Sequence, residues 1–374
     1  MYRDDAERFM RQALRLARKG RGKTSPNPMV GAVVVRHGKV VGSGSHMRRG
    51  AAHAEVVAIE KAGRRARGGA LFVNLEPCCH HGLTPPCVSA IVESGIESVF
   101  ASIVDPDPRV SGGGFRFLRR HGVAVQVGIL RNDAEELNES YLKWARTKRP
   151  FVAIKVCQSL DGRIAASNGG GRGLGSPEEI RFAHSLRSAY DAVLVGAGTV
   201  LSDDPRLTVR EWRGRNPHRI VLDSRLGLPL KSRVFDRRGG ERVIVAATKQ
   251  RASNRKVEAL KARGIEVWLL PEINGGVSLR RLLSRAGEDS IQSILVEGGS
   301  DVVTSFLKEK LADKLYVATS PKILGGTRSI SWPKEIGVES VSKALPLRDL
   351  RVKRLGPDVL VEGYLQGAAT ARSR

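Results

Sequence analysis

Apolar runs of the roughly 20 residues that a bilayer-spanning helix needs are missing from this sequence, so no helical membrane span is expected. The opening stretch, MYRDDAERFMRQALRLARKG, carries acids early and has no apolar core. Neither a secretory signal nor a transit peptide is read there, and a cytoplasmic protein is expected. Cysteine is scarce: four in 374 residues, too few for a disulfide framework. Three of them, Cys78, Cys79 and Cys87, crowd together, which points to metal or redox chemistry. Aromatics make up only 5% of the chain, little material for stacking bases. Acids are also short, 38 against 63 Lys and Arg, for a net charge of +25. The excess is scattered from Arg3 to Arg374 and forms no tail or stripe. Nucleic acid is therefore not expected as the main partner, whereas a basic surface suits steering of small anions.

What is there alternates. Residues 4–19 have helical spacing, and Asp4 with Glu7 resembles a capping box. MVGAVVV and KVVGSG flank Arg36-His37-Gly38, a hairpin signal. Helices are expected at 53–62, 86–94, 112–121 and 132–146, with strands at 70–75, 97–104 and 123–128. This pattern gives a layered α/β domain that closes near 143–150. A second α/β run follows, with strands at 151–157, 192–196, 219–223, 242–247, 265–270, 292–297, 314–319 and 358–363. Helices fall between them, as at 177–190, 252–263 and 300–311.

The chemistry-bearing stretches of the first run are HAEVVAI and LEPCCHHGLTPPC. His53, Cys78 and Cys87 form an N/S ligand set that suits tetrahedral zinc, and three protein ligands leave a fourth position for water. Zinc lowers the pKa of such a water towards about 7. Glu55, two residues beyond His53, is placed to move its proton to a leaving nitrogen. Pro85 and Pro86 suit a helix start, and Cys87 in the first turn gains thiolate character from the helix dipole. His46, His80 and His81 are expected beside the ligands or at the surface. The order His-x-Glu, Pro-Cys, Cys matches the zinc nucleobase-deaminase signature, except that eight residues instead of two separate the cysteines.

In the second run, GAG after strand 192–196 and EGGS after strand 292–297 are glycine turns whose amides suit phosphate. Neither is a G-x-G-x-x-G, so a Rossmann fold is not supported. Lys155, Arg187 and Arg210 are residue types that recognise phosphorylated ligands.

TSPNPMVGAVVV, HAEVVAI and LEPCCHHGLTPPC, continued by DPDPRVSGGGFRFLRRHGVAVQVGIL, resemble the deaminase half of the bifunctional deaminase/reductase family of riboflavin biosynthesis (the RibD type). IKVCQSLDGRIAA, HSLRSAYDAVLVGAGTVLSDDPRLTVR, RIVLDSR and ILVEGGSDVVTSFL resemble its reductase half. The resemblance implies a cytidine-deaminase-like three-layer domain over 1–148 and a dihydrofolate-reductase-like domain over 149–374. It implies zinc on His53, Cys78 and Cys87, Glu55 as proton shuttle and Asn27 against the pyrimidine. In the second domain it implies substrate contacts from Lys155, Arg187, Leu207, Arg210 and Glu297. Cys157, Gly173, Thr199, Asp203, Ser224, Gly298 and Gly299 are implied for NADPH. A phosphorylated pyrimidine substrate and self-association follow from the same likeness.

The sequence departs from that family at four places. Cys79 stands where many members have Ser, and Leu83 where many have Arg, which touches contacts to the phosphoribosyl arm. Gly171 and Gly173 replace a Ser and a Trp, in a loop with five glycines among residues 169–175. Loss of the indole removes stacking area, and a glycine-rich loop is costly to order. A deaminase with a weakened or silent reductase is therefore the alternative expectation. The rival is a tRNA or nucleic-acid deaminase, which would explain the charge but not residues 151–374.

Overall fold

The structure, a computed structural model, describes residues 3–167, 173–237 and 239–365. The chain divides into two compact units, the first running to Lys148 and the second beginning at Arg149.

The first unit opens with helix α1 (Arg3–Ala17), then the hairpin β1 (Gly31–Arg36) and β2 (Lys39–Ser45), turned by His37 and Gly38, both at positive φ. It continues through α2 (Ala54–Ala62), β3 (Ala70–Leu75), α3 (Cys87–Glu93), β4 (Ser98–Ile103), α4 (Gly113–Arg120), β5 (Ala124–Val127), α5 (Arg131–Leu137) and α6 (Glu139–Thr147). The sheet order is β2-β1-β3-β4-β5. β1 is antiparallel to both of its neighbours, whereas β3, β4 and β5 run parallel. Every residue of β3 is buried, as expected of a strand covered on both faces. Asp4 lies inside the first turn of α1 instead of capping it, and Glu7 pairs with Arg11 at 2.6 Å. The expected single helix over 132–146 is two. The break falls at Asn138, whose side chain accepts from Met29 N at 2.8 Å and donates to Met29 O at 3.0 Å.

Two glycines of β2 set the position of α2. A Cβ on Gly42 would collide with Ala58 O, and one on Gly44 with Ala54 O. The helix thus rests on the strand backbone to backbone, and only glycine permits that approach.

The second unit contains β6 (Phe151–Ser159), β7 (Arg163–Ala165), α7 (Pro177–Ala189), β8 (Ala192–Gly196), α8 (Ala197–Asp203), β9 (His218–Leu222), β10 (Val243–Thr248), α9 (Asn254–Ala262) and β11 (Glu266–Leu270). There follow β12 (Glu272–Ile273), β13 (Gly276–Val277), α10 (Leu279–Glu288), β14 (Ser293–Val296), α11 (Ser300–Lys308), β15 (Lys314–Ser320), β16 (Ile330–Ser331), β17 (Leu347–Leu355) and β18 (Asp358–Leu365). The nine-stranded sheet runs β11-β10-β9-β8-β14-β6-β15-β18-β17. It is parallel through β15, and β18 and β17 then close it antiparallel. Alternate residues of β6 enter different cores: Val152, Ile154 and Val156 face one, Phe151 and Ala153 the other. Lys155 and Cys157 share the parity of Phe151 and Ala153, so that face carries the charge. Helices α8 and α10 fall between strands, where helices were expected without stated bounds, whereas edge strand β17 was not among the expected elements.

Among the described residues no helix is long and apolar enough to cross a membrane.

Candidate functional site

In the first unit, α2 and α3 bring their first residues together. His53 is the N-cap of α2 and Cys87 opens α3 behind Pro86. Cys78 comes from the loop after β3. His53 Nδ1 lies 3.0 Å from Cys87 Sγ and 3.5 Å from Cys78 Sγ. One ligand atom from each of the three falls within 4.8 Å of the others. The Cys87 backbone N–H also donates to Cys78 Sγ at 3.3 Å, so the start of α3 favours charge on that sulfur. The Cys78 thiol is pushed down to about 4, first by its hydrogen bond with Cys87, which is itself driven up by the same bond. The ionised sulfur is the form that ligates metal. The three donors therefore fit zinc: one imidazole nitrogen and two sulfurs, one of them already a thiolate.

Glu55 sits in the first turn of α2 and is 3% exposed. Burial raises its pKa to about 7, near the range useful for proton transfer. Its Oε2 is buried without a hydrogen-bond partner among the described residues, although buried polar atoms are nearly always satisfied. A carboxylate oxygen left bare beside three ligand atoms is the mark of a group awaiting a reactant.

His46 belongs to this site although it is not a ligand. It is buried, and its ring meets that of His53 edge-on at 5.3 Å. Its Nδ1 reaches Ala52 O at 3.2 Å and its Nε2 reaches Asn27 Nδ2 at 3.1 Å. With Nδ1 donating and Nε2 accepting, His46 fixes the Asn27 amide. Among the described residues, His80 and His81 stay outside the three-residue cluster, with His80 half-buried and His81 exposed. Leu83 is 74% exposed. Cys79 packs near Arg109 O at 3.7 Å. The loop after β4 is built on Glu76, whose buried carboxylate accepts the N–H groups of Asp105, Gly112 and Phe115 at 2.9–3.2 Å. Nothing in the sequence pattern marked Glu76.

The second unit gathers a different set. Arg187 of α7 grips Glu297 with two parallel hydrogen bonds, 2.8 Å from Nε and 2.5 Å from Nη2. Lys155 of β6 is in ion-pair contact with Glu179 of α7. His184, also on α7 and 2% exposed, accepts at Nδ1 from the N–H groups of Arg210 and Glu211 at 3.0 and 2.7 Å. Burial first, then the Arg187 and Arg210 charges, lower its pKa to about 4. Glu179 and His184 were missed in the sequence. One reads as a capping residue and the other as an ordinary helix position.

Arg210 is exposed and bonds the Thr208 hydroxyl at 3.0 Å. Leu207 is buried with φ of 56°, a left-handed backbone that a branched side chain rarely adopts. It turns the chain between Arg206 and Thr208. The two glycine turns meet: Gly299 N donates to Thr199 Oγ1 at 3.0 Å. That amide is thus occupied by this chain's own hydroxyl. Gly298 lies against Val302. Asp203 accepts from Ser202 Oγ at 3.0 Å, and Ser224 O accepts from Thr248 N and Oγ1. The Cys157 thiol is pushed up to about 12, chiefly by burial. Gly173 has φ of 80°, and its carbonyl accepts from Lys322 Nζ at 2.6 Å. Gly171 lies outside the described residues.

Residues 150–361 match the family described as RibD C-terminal domain. Residues 3–103 match the cytidine and deoxycytidylate deaminase zinc-binding region. The chain is 41% identical to riboflavin biosynthesis protein RibD of Aquifex aeolicus, over 96% of this chain and 99% of that protein. It is 37% identical to the Escherichia coli protein of the same name, over 97% and 99%. Among solved structures it is similar to Acinetobacter baumannii RibD, form 1, with a TM-score of 0.88 at 30% identity, covering 97% of this chain and 99% of that one. A Thermotoga maritima diaminohydroxyphosphoribosylaminopyrimidine deaminase/5-amino-6-(5-phosphoribosylamino)uracil reductase gives 0.85 at 38% identity, covering 98% and 100%.

Proposed function

The chain belongs to the RibD family of bifunctional riboflavin-biosynthesis deaminase/reductases, and from that premise we propose how its residues divide the work. It is a two-activity enzyme that uses zinc and NADPH on a small phosphorylated pyrimidine. We assign the hydrolytic deamination to residues 1–148 and the reduction to residues 149–374.

In the first step His53, Cys78 and Cys87 hold the zinc, which when bound supplies the Lewis acidity that brings a water pKa to about 7. Glu55 takes the water proton on its Oε2, unpartnered among the described residues, and gives it to the ring nitrogen as the hydroxyl adds. It then takes the hydroxyl proton and gives it to the amine nitrogen, which leaves as ammonia. The water oxygen remains on the ring carbon as the new carbonyl. The Asn27 amide, held by His46, orients the pyrimidine through its remaining Oδ1. For the second step NADPH, when bound, would supply the hydride for the ribosyl carbon. The bond from that carbon to the ring oxygen breaks, and the oxygen takes a proton from solvent to become a hydroxyl of the ribityl chain. Lys155 meets the sugar. Arg210, for which no carboxylate is paired among the described residues, takes the phosphate. The Arg187–Glu297 clamp and Leu207 shape the cleft. Cys157, Gly173, Thr199, Asp203, Ser224, Gly298 and Gly299 line the cofactor.

We further place the protein in the cytoplasm as a homo-oligomer, a state that sedimentation of the purified chain tests directly. The observation that carries the whole reading is the His53–Cys78–Cys87 cluster with Glu55 bare beside it. The test is zinc-loaded protein given the diamino-pyrimidinone phosphate, with ammonia release and NADPH oxidation followed in one tube. Both signals are expected. Ammonia without NADPH loss would leave the second assignment wrong, and no signal from folded protein would remove the substrate.

A further inference from the structure

Ser176-Pro177-Glu178-Glu179 has the sequence of a capping box, in which the Glu three residues after the N-cap turns back to the cap's N–H. Only half of that box forms. Ser176 Oγ accepts the Glu179 N–H at 3.2 Å. The return bond is made by another residue: Ser176 N donates to Asp358 Oδ2 at 2.7 Å, from the first position of β18. Asp358 thereby frees the Glu179 side chain from capping. Glu179 turns inward, is 3% exposed, and pairs with Lys155. Gly175 provides the space, because a Cβ there would collide with Glu179 Oε2 and lie 3.0 Å from Cys157 Sγ. One glycine of the otherwise unexplained loop therefore has a packing reason.

Lys155 and Arg187 each have their own carboxylate, Glu179 and Glu297. A buried ammonium without such a partner would be strongly disfavoured. We propose that Glu179 is a positioning residue of the reductase site, the buried counter-ion that holds the Lys155 ammonium charged and aimed at the bound sugar. This rests on the reading of the second unit as the reductase with Lys155 at its substrate. The charged and titratable groups around Lys155 are Glu179 and His184 on α7, Glu297 beyond β14, Cys157 on the same strand and Tyr316 in register on β15. Burial works to lower the Lys155 pKa, and the Glu179 charge, followed by that of Glu297, outweighs it and raises the pKa. Without Glu179, Lys155 loses its proton at a lower pH.

The test uses the full chain as wild type, Glu179→Gln and Gly175→Ala, the last displacing the carboxylate without changing its chemistry. Ammonia release from the first unit reports that each protein is sound. NADPH oxidation is measured with the already deaminated pyrimidine from pH 6 to 9, and amine acylation of Lys155 is followed by mass spectrometry. Both variants are expected to lose reductase kcat by about tenfold or more at pH 8, with a smaller change in KM. The deficit should grow as pH rises, and Lys155 should acylate faster than in the wild type. A merely structural role would lower the melting temperature and leave the pH profile and the acylation rate in place, which would overturn the proposal. So would an active wild type matched by an unchanged Glu179→Gln. A wild type that releases ammonia but consumes no NADPH would instead remove the reductase reading, and the proposal with it.

Discussion

The two units hold their reactive groups in opposite conditions. In the first, His53, Cys78 and Cys87 face one another, and Glu55 keeps an oxygen that nothing among the described residues satisfies. In the second, Lys155 has Glu179, Arg187 has Glu297 and His184 accepts two backbone N–H groups. The first site is built around what must arrive, and its geometry is finished by a metal and a water. The buried cations Lys155 and Arg187 of the second are matched by the chain itself, so a ligand there must fit between those balanced pairs and the exposed Arg210. This difference decides which substitutions remove chemistry and which remove stability.

The largest effect should come from emptying the first site. Cys87→Ala, or chelation of the wild type, is expected to bring ammonia release to background while NADPH oxidation on the deaminated pyrimidine persists; metal content and the two assays check this. If both activities fall together, the units are not chemically independent and the comparison breaks. Glu55→Gln comes next. It should slow ammonia release by about 10²–10⁴-fold, the usual worth of a positioned acid–base group, with bound zinc unchanged. In the second unit the parallel change is Glu297→Gln, which strands the Arg187 charge. A loss of about 3–5 kcal/mol in stability is expected, read by denaturant unfolding of the second unit, with ammonia release retained.

The smallest effect is on pH dependence, and its sign differs between the units. His184 has a folded pKa of about 4, below its unfolded value of 6.5. The unfolded chain therefore binds the extra proton first, and the stabilising contribution of neutral His184 is lost as pH falls from about 6.5 towards 4. Asp105 accepts from Tyr141 Oη at 2.8 Å, and burial raises its pKa to about 6 from 3.8. Its contribution is greatest at low pH and is lost as pH rises through 6. Thermal scans at pH 4.5 and 7 should show His184→Asn flattening the acid loss of the second unit and Asp105→Asn removing an acid gain of the first. Equal slopes in all three proteins would erase the contrast.

The sequence revealed these regions unequally. The metal site was legible because ligand types and their order are constrained by coordination chemistry, whatever surrounds them. His46 and Glu76 were not, since each acts through a neighbour brought from elsewhere in the fold. Lys155, Arg187 and Glu297 were reached by resemblance. Their pairing was not, and Glu179 was hidden because Ser-Pro-Glu-Glu describes a helix start equally well when its Glu caps the helix and when it does not. The alternation of strands and helices was readable wherever strands are buried. It failed for β17, Leu347–Leu355, where Leu350 and Val352 are exposed among four basic residues and no apolar face repeats. It also ran one helix across Asn138, a residue that ends a helix here because its side chain is committed to Met29.

The contact of α2 with Gly42 and Gly44 limits how this enzyme can vary. A helix spaced by side chains can be re-levelled by trimming one and enlarging another; a helix seated on bare backbone has nothing to trim. Ala54 O, the atom a Cβ on Gly44 would strike, belongs to the residue between His53 and Glu55. Any carbon added at Gly44 is therefore transmitted to both the proposed zinc ligand His53 and the proposed proton carrier Glu55. The calibration of the zinc-facing turn is stored in two residues without side chains, where a search for catalytic chemistry would not look.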